Sequence, residues 1–300
     1  MRAVVTGGAG FIGSHVVEAL LARGDEVHVL DNLSKGTRER VAAGAELHVA
    51  DIRDPDAVFD AVRPEAVFHL AAQADVRLSV EHPEVDADVN VLGTVRILEA
   101  ARRHGARVVF SSTGGAIYGE CTGPVTETAE RQPLAPYGTS KLCGEEYLAT
   151  WNRLHGTRHV SLRFANVYGP RQEPHGEAGV VAIFMGLLHE GGTPRIYGDG
   201  SQTRDYVFVE DAVGAMLVAL DSDGGVFNVG TGVETSVLGL YHAIQRASGV
   251  RREPAFAEAR LGELQRSVLD ISRAARELGW RPGSSLDEGL ARTWAWIVQE

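Results

Sequence analysis

Thr6-Gly7-Gly8-Ala9-Gly10-Phe11-Ile12-Gly13 is the stretch whose reading decides the fold. A short apolar run over residues 2–6 leads into it. A helical pattern over residues 11–23 leads out, with Gly24 in the position of a C-terminal stop. Glycines alone predict only a tight turn. Between a strand and a helix they predict more, because backbone N–H groups without side chains around them can approach a pyrophosphate at the helix start.

The pattern continues outward. Apolar runs over residues 26–31, 45–49, 66–70, 107–111 and 159–164 read as strands. Residues 55–62, 83–104 and 138–155 read as helices, two of them with Pro at the opening. Strand–helix alternation of this kind predicts an α/β fold, a Rossmann-like doubly wound parallel sheet with helices on both faces. After residue 164 the rhythm loosens. Helices are expected over 180–190, 212–220 and 237–248, a strand over 226–229, and a last helix opened by Ser285 with Glu288 three residues on, a capping box. The expected organisation is a dinucleotide-binding region over 1–165, with 203–230 returning to it. Residues 166–202 and 231–300 then form a smaller substrate-binding wall.

Asp31 closes the second predicted strand, 18 residues after Gly13. A carboxylate there accepts hydrogen bonds from the ribose hydroxyls of NAD and repels the 2′-phosphate of NADP. Asn32 and Leu33 follow it, Lys35 is the nearby cation, and the first Arg is Arg38. NAD is the expected cofactor.

Tyr137 and Lys141 stand four apart at the start of a predicted helix, so they share a face. Upstream, a predicted strand ends in Ser111, Ser112 and Thr113. A free tyrosine, with a pKa of about 10, is a poor base at neutral pH. A neighbouring ammonium and a cationic nicotinamide would favour tyrosinate and make it a proton acceptor. A hydroxyl at Thr113 could hold the substrate oxygen. Tyr-x-x-x-Lys by itself is a common spacing on exposed helices; its place after a dinucleotide loop and a hydroxyl-tipped strand gives it meaning.

With these motifs the chain resembles the extended short-chain dehydrogenase/reductases, and within them the nucleotide-sugar epimerases of the UDP-glucose 4-epimerase type. The resemblance covers nearly the whole length. Its matching phrases are TGGAGFIGSH, DNLSKG, ADIRD at 50–54, HLAAQADV at 69–76, FSSTGGAIYGE at 110–120 and PYGTSK at 136–141. RFANVYGPRQ at 163–172, TRDYVFVED at 203–211, FNVGTG at 227–232 and RLGELQRS at 260–267 continue it.

The resemblance implies that Gly7, Gly10, Phe11, Ile12, Gly13, Asp31 and Asn32 contact the dinucleotide, and that Asp51 and Ile52 flank its adenine. Leu70, Ala71, Ala72 and Gln73 line its path, with Asn90 bracing the neighbouring loop and Ser111 beside it. Tyr137 and Lys141 serve both cofactor and catalysis. Thr113 takes the place where many relatives have Ser, but the 114–117 loop is one residue longer than usual, so Ser112 stays open as the catalytic hydroxyl. Asn166, Tyr197, Arg204, Arg260 and Glu263 are implied to hold the UDP-sugar. The implied reaction is C4 epimerisation of UDP-glucose and UDP-galactose through a transient 4-keto sugar.

Absences refine this. Related dehydratases carry an acidic pair after the hydroxyl, where this chain has Gly114, Gly115 and Ala116. Relatives acting on UDP-glucuronate often carry Arg two residues past Gly-Pro-Arg; here it is Glu173, expected to repel a C6 carboxylate. Ser267 stands where hexose-restricted relatives have a bulky Tyr, so UDP-N-acetylhexosamines are expected as further substrates. UDP-glucuronate 4-epimerisation and dehydratase or reductase chemistry of the same fold stay open as alternatives, as do a net NAD oxidoreductase and a non-catalytic dinucleotide sensor. The intact Tyr137 and Lys141 argue against the sensor.

Of the 300 residues, 44% are hydrophobic and 23% charged, and the formal net charge of −11 excludes bulk binding to nucleic acid or an anionic membrane. There are 35 glycines, about half again the usual share. Two cysteines, Cys121 and Cys143, exclude a disulfide scaffold and point to a reducing, cytoplasmic compartment. The N-terminus does not read as a signal peptide, since Thr6, Gly7 and Gly8 interrupt its apolar run, and residues 178–188 are too short to span a bilayer. Among eleven histidines only His155 and His159 have helix-like ligand spacing, across Gly156, so no metal is expected. The implied assembly is a homodimer through helices 83–104 and 138–155.

Overall fold

The computed structural model describes residues 1–174, 179–259 and 264–299. Six strands alternate with helices through the first half: β1 (Arg2–Thr6), β2 (Glu26–Asp31), β3 (Glu46–Val49), β4 (Ala66–His69), β5 (Arg107–Thr113) and β6 (Val160–Phe164). Shorter strands follow: β7 (Asn166–Tyr168), β8 (Arg195–Tyr197), β9 (Thr203–Phe208), β10 (Gly225–Val229), β11 (Glu234–Ser236), β12 (Ala255–Ala257) and β13 (Arg266–Ser267).

The large sheet is parallel and runs β10-β6-β5-β4-β1-β2-β3. Its strands are apolar on both faces because helices cover both. The Phe11–Ala22 and Val209–Ala219 helices pack on one face with Val5, Val29 and Phe164. The Asp56–Val62, Gly93–His104 and Pro136–His155 helices cover the other, around Val4, Val67 and Phe110. Each fully buried valine or leucine in these layers contributes roughly 1.5–3 kcal/mol.

Strand order reverses between β1 and β4. The chain winds outward through β2 and β3, then returns to build β4, β5 and β6 on the other side. At such a switch point the loops leaving the carboxyl ends diverge and open a crevice, the usual ligand site of this architecture. The glycine turn after β1 and the Leu70–Gln73 loop after β4 flank it.

A second core gathers Tyr168, Phe184, Met185, Phe208, Tyr241 and Leu290 around a small sheet in which β9 pairs with β7, β11 and β13. The returning segment is thus split: Thr203–Phe208 lies in the small sheet, whereas the Val209–Ala219 helix and β10 join the large one. The expected capping box at Ser285 and Glu288 is present. The stretch expected as a single helix over 83–104 is broken. A Pro83–Ala87 helix and a Gly93–His104 helix are joined by a π-turn, Asp88–Leu92, which turns Asn90 inward. Inserted π-turns of this kind mark functional positions.

Candidate active site

The glycine turn is shaped by close approach. Gly7 has φ +72°, and a Cβ there would lie 2.7 Å from the Ala71 backbone nitrogen. A Cβ on Gly13 would lie 2.1 Å from the Gly7 carbonyl oxygen. The Phe11–Ala22 helix starts at Gly10 with no side-chain cap and no acid in its first turn. The amides of Phe11, Ile12 and Gly13 therefore have no intrahelical acceptor and face the crevice end of β1, a cradle suited to a pyrophosphate.

Asp31 is buried and accepts the Ala9 and Leu33 amide protons at 3.0 and 2.8 Å. It clasps the glycine turn, and a carboxylate has lone pairs left for further donors. Asn32 donates to Asp51 at 3.0 Å, and Asp51 also receives the Arg53 guanidinium, which reaches Asp88 as well. The hydrogen bonds from Arg53 hold the Asp51 carboxyl far below the usual carboxylate range. Ile52 is buried against Gly93, where a Cβ would come within 2.7 Å of it.

The loop after β4 is fixed by groups that sequence spacing did not single out. The Thr6 hydroxyl accepts the Leu70 and Ala71 amide protons, each at 3.2 Å, and lies 2.7 Å from His69 Nδ1. His69 Nε2 lies 3.1 Å from the Thr94 hydroxyl, which donates to the Asn90 carbonyl at 2.6 Å. Burial and the Lys141 charge push the His69 pKa down to about 3, so the ring stays neutral. With Thr6 Oγ1 donating to Nδ1, the network puts the ring proton on Nε2. Asn90 exchanges two hydrogen bonds of 2.8 Å with the Gln73 backbone. Asp86, fully buried, receives both Gln73 Nε2 and Asn90 Nδ2 on one oxygen, and its other oxygen has no hydrogen-bond partner among the described residues. The π-turn is what brings Asn90 to this loop. Ala72 lies in the same loop, half-buried.

Tyr137 and Lys141 sit in the first turns of the Pro136–His155 helix, beside the tip of β5. The Tyr137 amide donates to Ser79 Oγ at 3.2 Å. Lys141 is buried; its ammonium donates to the Ser111 carbonyl at 2.9 Å and lies 4.8 Å from the Phe110 ring centroid. Burial pulls its pKa down to about 8, against the pull of Asp86 and Glu145. Burial, then the Asp86 charge, push the Tyr137 phenol up to about 12. Burial thus opposes tyrosinate in the protein by itself, and the expectation joins Lys141 to a second positive charge, a cationic nicotinamide.

Alternation along β5 separates the three hydroxyls. Ser111 and Thr113 are half-buried on one side, and Ser112 turns into the interior. There its hydroxyl donates to Glu145 at 2.5 Å. Glu145 also receives Arg163 Nε and Nη2 at 2.9 and 2.6 Å. Arg163 Nη1 donates to the Tyr118 hydroxyl at 2.6 Å, and that hydroxyl donates to Asn228 at 2.8 Å. The hydroxyl of Ser112 is committed to this buried network, a correction to its expected place against substrate. The chain after β5 forms a helical turn, Gly114–Ile117; a Cβ on Gly114 would meet Leu269, and one on Gly115 would lie 3.6 Å from Asn166 Oδ1. Asn166, exposed at the start of β7, thus stands beside the Thr113 tip.

On the second wall Tyr197 is half-buried in β8. Arg204 in β9 is in register with Ser267 of β13 and donates to the Thr203 carbonyl at 2.8 Å. Arg260 and Glu263 lie outside the described residues. Glu173 is ion-paired with Arg40. The Gly169–Gln172 phrase is tied back to the first helix: Arg171 donates to Ser14 and Glu18, and the Pro170 carbonyl lies 3.0 Å from His15 Nε2.

Arg163 offered a sequence signal, as a charge inside the apolar run VSLRF. Asp86 offered none, because its role depends on a helix break.

Residues 3–230 match the NAD dependent epimerase/dehydratase family. The chain is 50% identical over 306 residues to UDP-glucose 4-epimerase of Mycolicibacterium smegmatis, covering 98% of this chain and 97% of the relative. The structure of UDP-glucose 4-epimerase from Thermotoga maritima with UDP-glucose superimposes with a TM-score of 0.97 at 45% identity, over 100% of this chain and 99% of the other. UDP-glucose 4-epimerase from Thermus thermophilus in complex with NAD gives 0.94 at 46%, over 99% of each chain. A glycine cradle at the switch point, a Tyr-Lys pair at the tip of β5 and full-length likeness to such enzymes lead to one assignment: the chain belongs to the NAD dependent epimerase/dehydratase family.

Proposed function

We propose that this protein interconverts UDP-glucose and UDP-galactose by inverting C4 through a transient 4-keto sugar, with NAD retained from one turnover to the next. The observation that carries the reading is the helix that opens with Tyr137 and Lys141, tied through the Lys141 ammonium to the carboxyl-end stretch of β5 that carries Ser111 and Thr113. The cradle fits a dinucleotide by its packing: side chains are excluded at Gly7 and Gly13, and uncapped amides point outward. Gly7, Gly10, Phe11, Ile12 and Gly13 hold the pyrophosphate, Asp31 and Asn32 the adenosine ribose, and Asp51 and Ile52 the adenine. Leu70, Ala71, Ala72, Gln73, Ser111 and Lys141 line the nicotinamide half. NAD, when bound, supplies a hydride acceptor and donor for C4 and a positive ring beside Tyr137.

Tyr137 takes the proton of the sugar 4-hydroxyl and later returns it to the ketone oxygen. Lys141 favours the ionised phenol electrostatically, and Thr113 holds the sugar oxygen through its hydroxyl. Asn166, Tyr197, Arg204, Arg260 and Glu263 hold the UDP portion, so the diphosphate anchors the substrate while the sugar is free to present either face. The division of labour follows the two cores: residues 1–165 with the part of 203–230 packed on the large sheet serve the dinucleotide, and 166–202 with 231–300 serve the sugar nucleotide. The small Ser267 supports acceptance of UDP-N-acetylhexosamines.

No helix among the described residues is long and apolar enough to cross a membrane. We place the enzyme in the cytoplasm on its unpaired cysteines, Cys121 and Cys143. A homodimer through the helices carrying exposed Val85, Leu92, Tyr147 and Leu154 completes the reading. The test is to incubate the purified protein with UDP-galactose, without added NAD, and resolve the products by NMR. UDP-glucose is expected; a product altered at another carbon, or stoichiometric reduced nicotinamide, overturns the reading.

A further inference from the structure

Away from the crevice, the parallel pairing of β2 with β3 sets His28 opposite Glu46 and Leu30 opposite His48. Side chains two apart on a strand share a face. His28 therefore meets Glu46 and His48 together, a juxtaposition that spacing along the chain does not reveal.

The three side chains converge. His28 Nδ1 lies 3.1 Å from His48 Nε2. One Glu46 oxygen lies 3.5 Å from His28 Nδ1 and the other 3.8 Å from His48 Nε2. A tetrahedral zinc ion with bonds of about 2.0–2.1 Å requires ligand atoms roughly 3.3 Å apart. The two nitrogens already stand near that spacing, and one ligand atom from each of the three residues lies within 4.8 Å of the others.

A fourth residue fixes the proton positions. Glu26 lies 3.1 Å from His28 Nε2, and a carboxylate there keeps the ring proton on Nε2. The Nδ1 lone pair is left facing His48 and Glu46. A carboxylate behind a ligating imidazole is the usual outer support of a metal-bound histidine. With that proton placed, the three converging atoms share at most the one proton of His48 Nε2. While His48 keeps that proton it can donate to His28 Nδ1; as the Nδ1–H tautomer it leaves two lone pairs and an anionic oxygen facing a common centre, an arrangement suited to a cation. The imidazoles are walled in, with side chains 9% and 20% exposed, whereas Glu26 and Glu46 are 63% and 66% exposed and leave the centre open to solvent.

We propose that His28, His48 and Glu46 form a divalent-metal site of the zinc class, with water completing the shell, that clips the edge strand β3 to β2. Nitrogen, nitrogen and carboxylate oxygen favour zinc over magnesium or calcium. On binding, His48 takes the Nδ1–H tautomer, so the neutral ring need not lose a proton overall. The clip joins the strand that ends at Asp31 to the one that leads, past Val49, to Asp51. The expectation of no metal, drawn from neighbours in sequence, could not see ligands brought together by strand pairing.

Chelator-washed full-length protein titrated calorimetrically with ZnCl2 tests the site, with MgCl2 as the control. One zinc per chain is expected, with a rise in thermal midpoint and no response to magnesium. Glu46→Gln and His48→Gln should each weaken zinc binding at least about tenfold and remove the thermal rise, while epimerisation stays at the parental rate. Glu46→Gln keeps the shape of the strand and serves if the histidine variant fails to fold. Absence of saturable zinc binding, or unchanged affinity in Glu46→Gln, overturns the proposal.

Discussion

At the scale of single residues the account turns on Tyr137 and the charges that surround it. Tyr137→Phe keeps the ring and removes the proton acceptor, so turnover should fall about 10²–10⁴-fold while the denatured protein still releases NAD, read by chromatography. Asp86 lies fully buried and its charge raises the Tyr137 pKa. A negative neighbour disfavours tyrosinate, so removing it lowers the phenol pKa. Asp86→Asn should therefore move the rising limb of kcat/KM to lower pH, and an unmoved limb in the full pH profile would detach Asp86 from the reaction. The β5 hydroxyls separate in the same way. Thr113→Val should lower kcat about 10–100-fold, the value of one hydrogen bond to a developing charge. Ser112→Ala, which faces Glu145, should show its effect in stability first.

At the scale of elements, two packing devices set the geometry. The first is the glycine turn: Gly13→Ala places a methyl 2.1 Å from a backbone carbonyl, and the purified variant should hold no NAD by absorbance. The second is the Glu145–Arg163 pair, both side chains 2% exposed, which ties the catalytic helix to β6. Arg163→Met alone leaves a buried carboxylate unpaired and should cost about 3–5 kcal/mol in urea unfolding. Joining it with Glu145→Leu should recover most of that, since neither charge is then left alone. These devices also show how much the sequence disclosed. The glycine turn, the strand alternation, Asp31 and the Tyr137–Lys141 spacing are local patterns, and each was legible. The π-turn that delivers Asn90 was not, because an inserted residue in a helix leaves the apolar period nearly intact. Asp86, His69 and the His28–Glu46–His48 trio depend on partners from distant segments, which only the folded sheet brings together.

At the scale of the whole molecule, the proposed function has an acidic chain, net charge −11, hold two diphosphates by placed groups rather than bulk charge. In that proposal uncapped helix amides serve one, and Arg204 with its neighbours the other. Exposed Leu92 and Leu154 belong to the helices proposed to meet in the dimer. Replacing both by Glu should convert the protein to one chain's mass in sedimentation equilibrium, by burying unpaired charge at the contact. The central claim is that hydride leaves and returns to the same carbon within one closed site. UDP-galactose carrying deuterium at C4, incubated without added NAD, tests it most directly. The account predicts UDP-glucose that keeps its deuterium at C4, with no build-up of reduced-nicotinamide absorbance; deuterium lost to solvent, or a keto sugar accumulating with reduced cofactor, would contradict it.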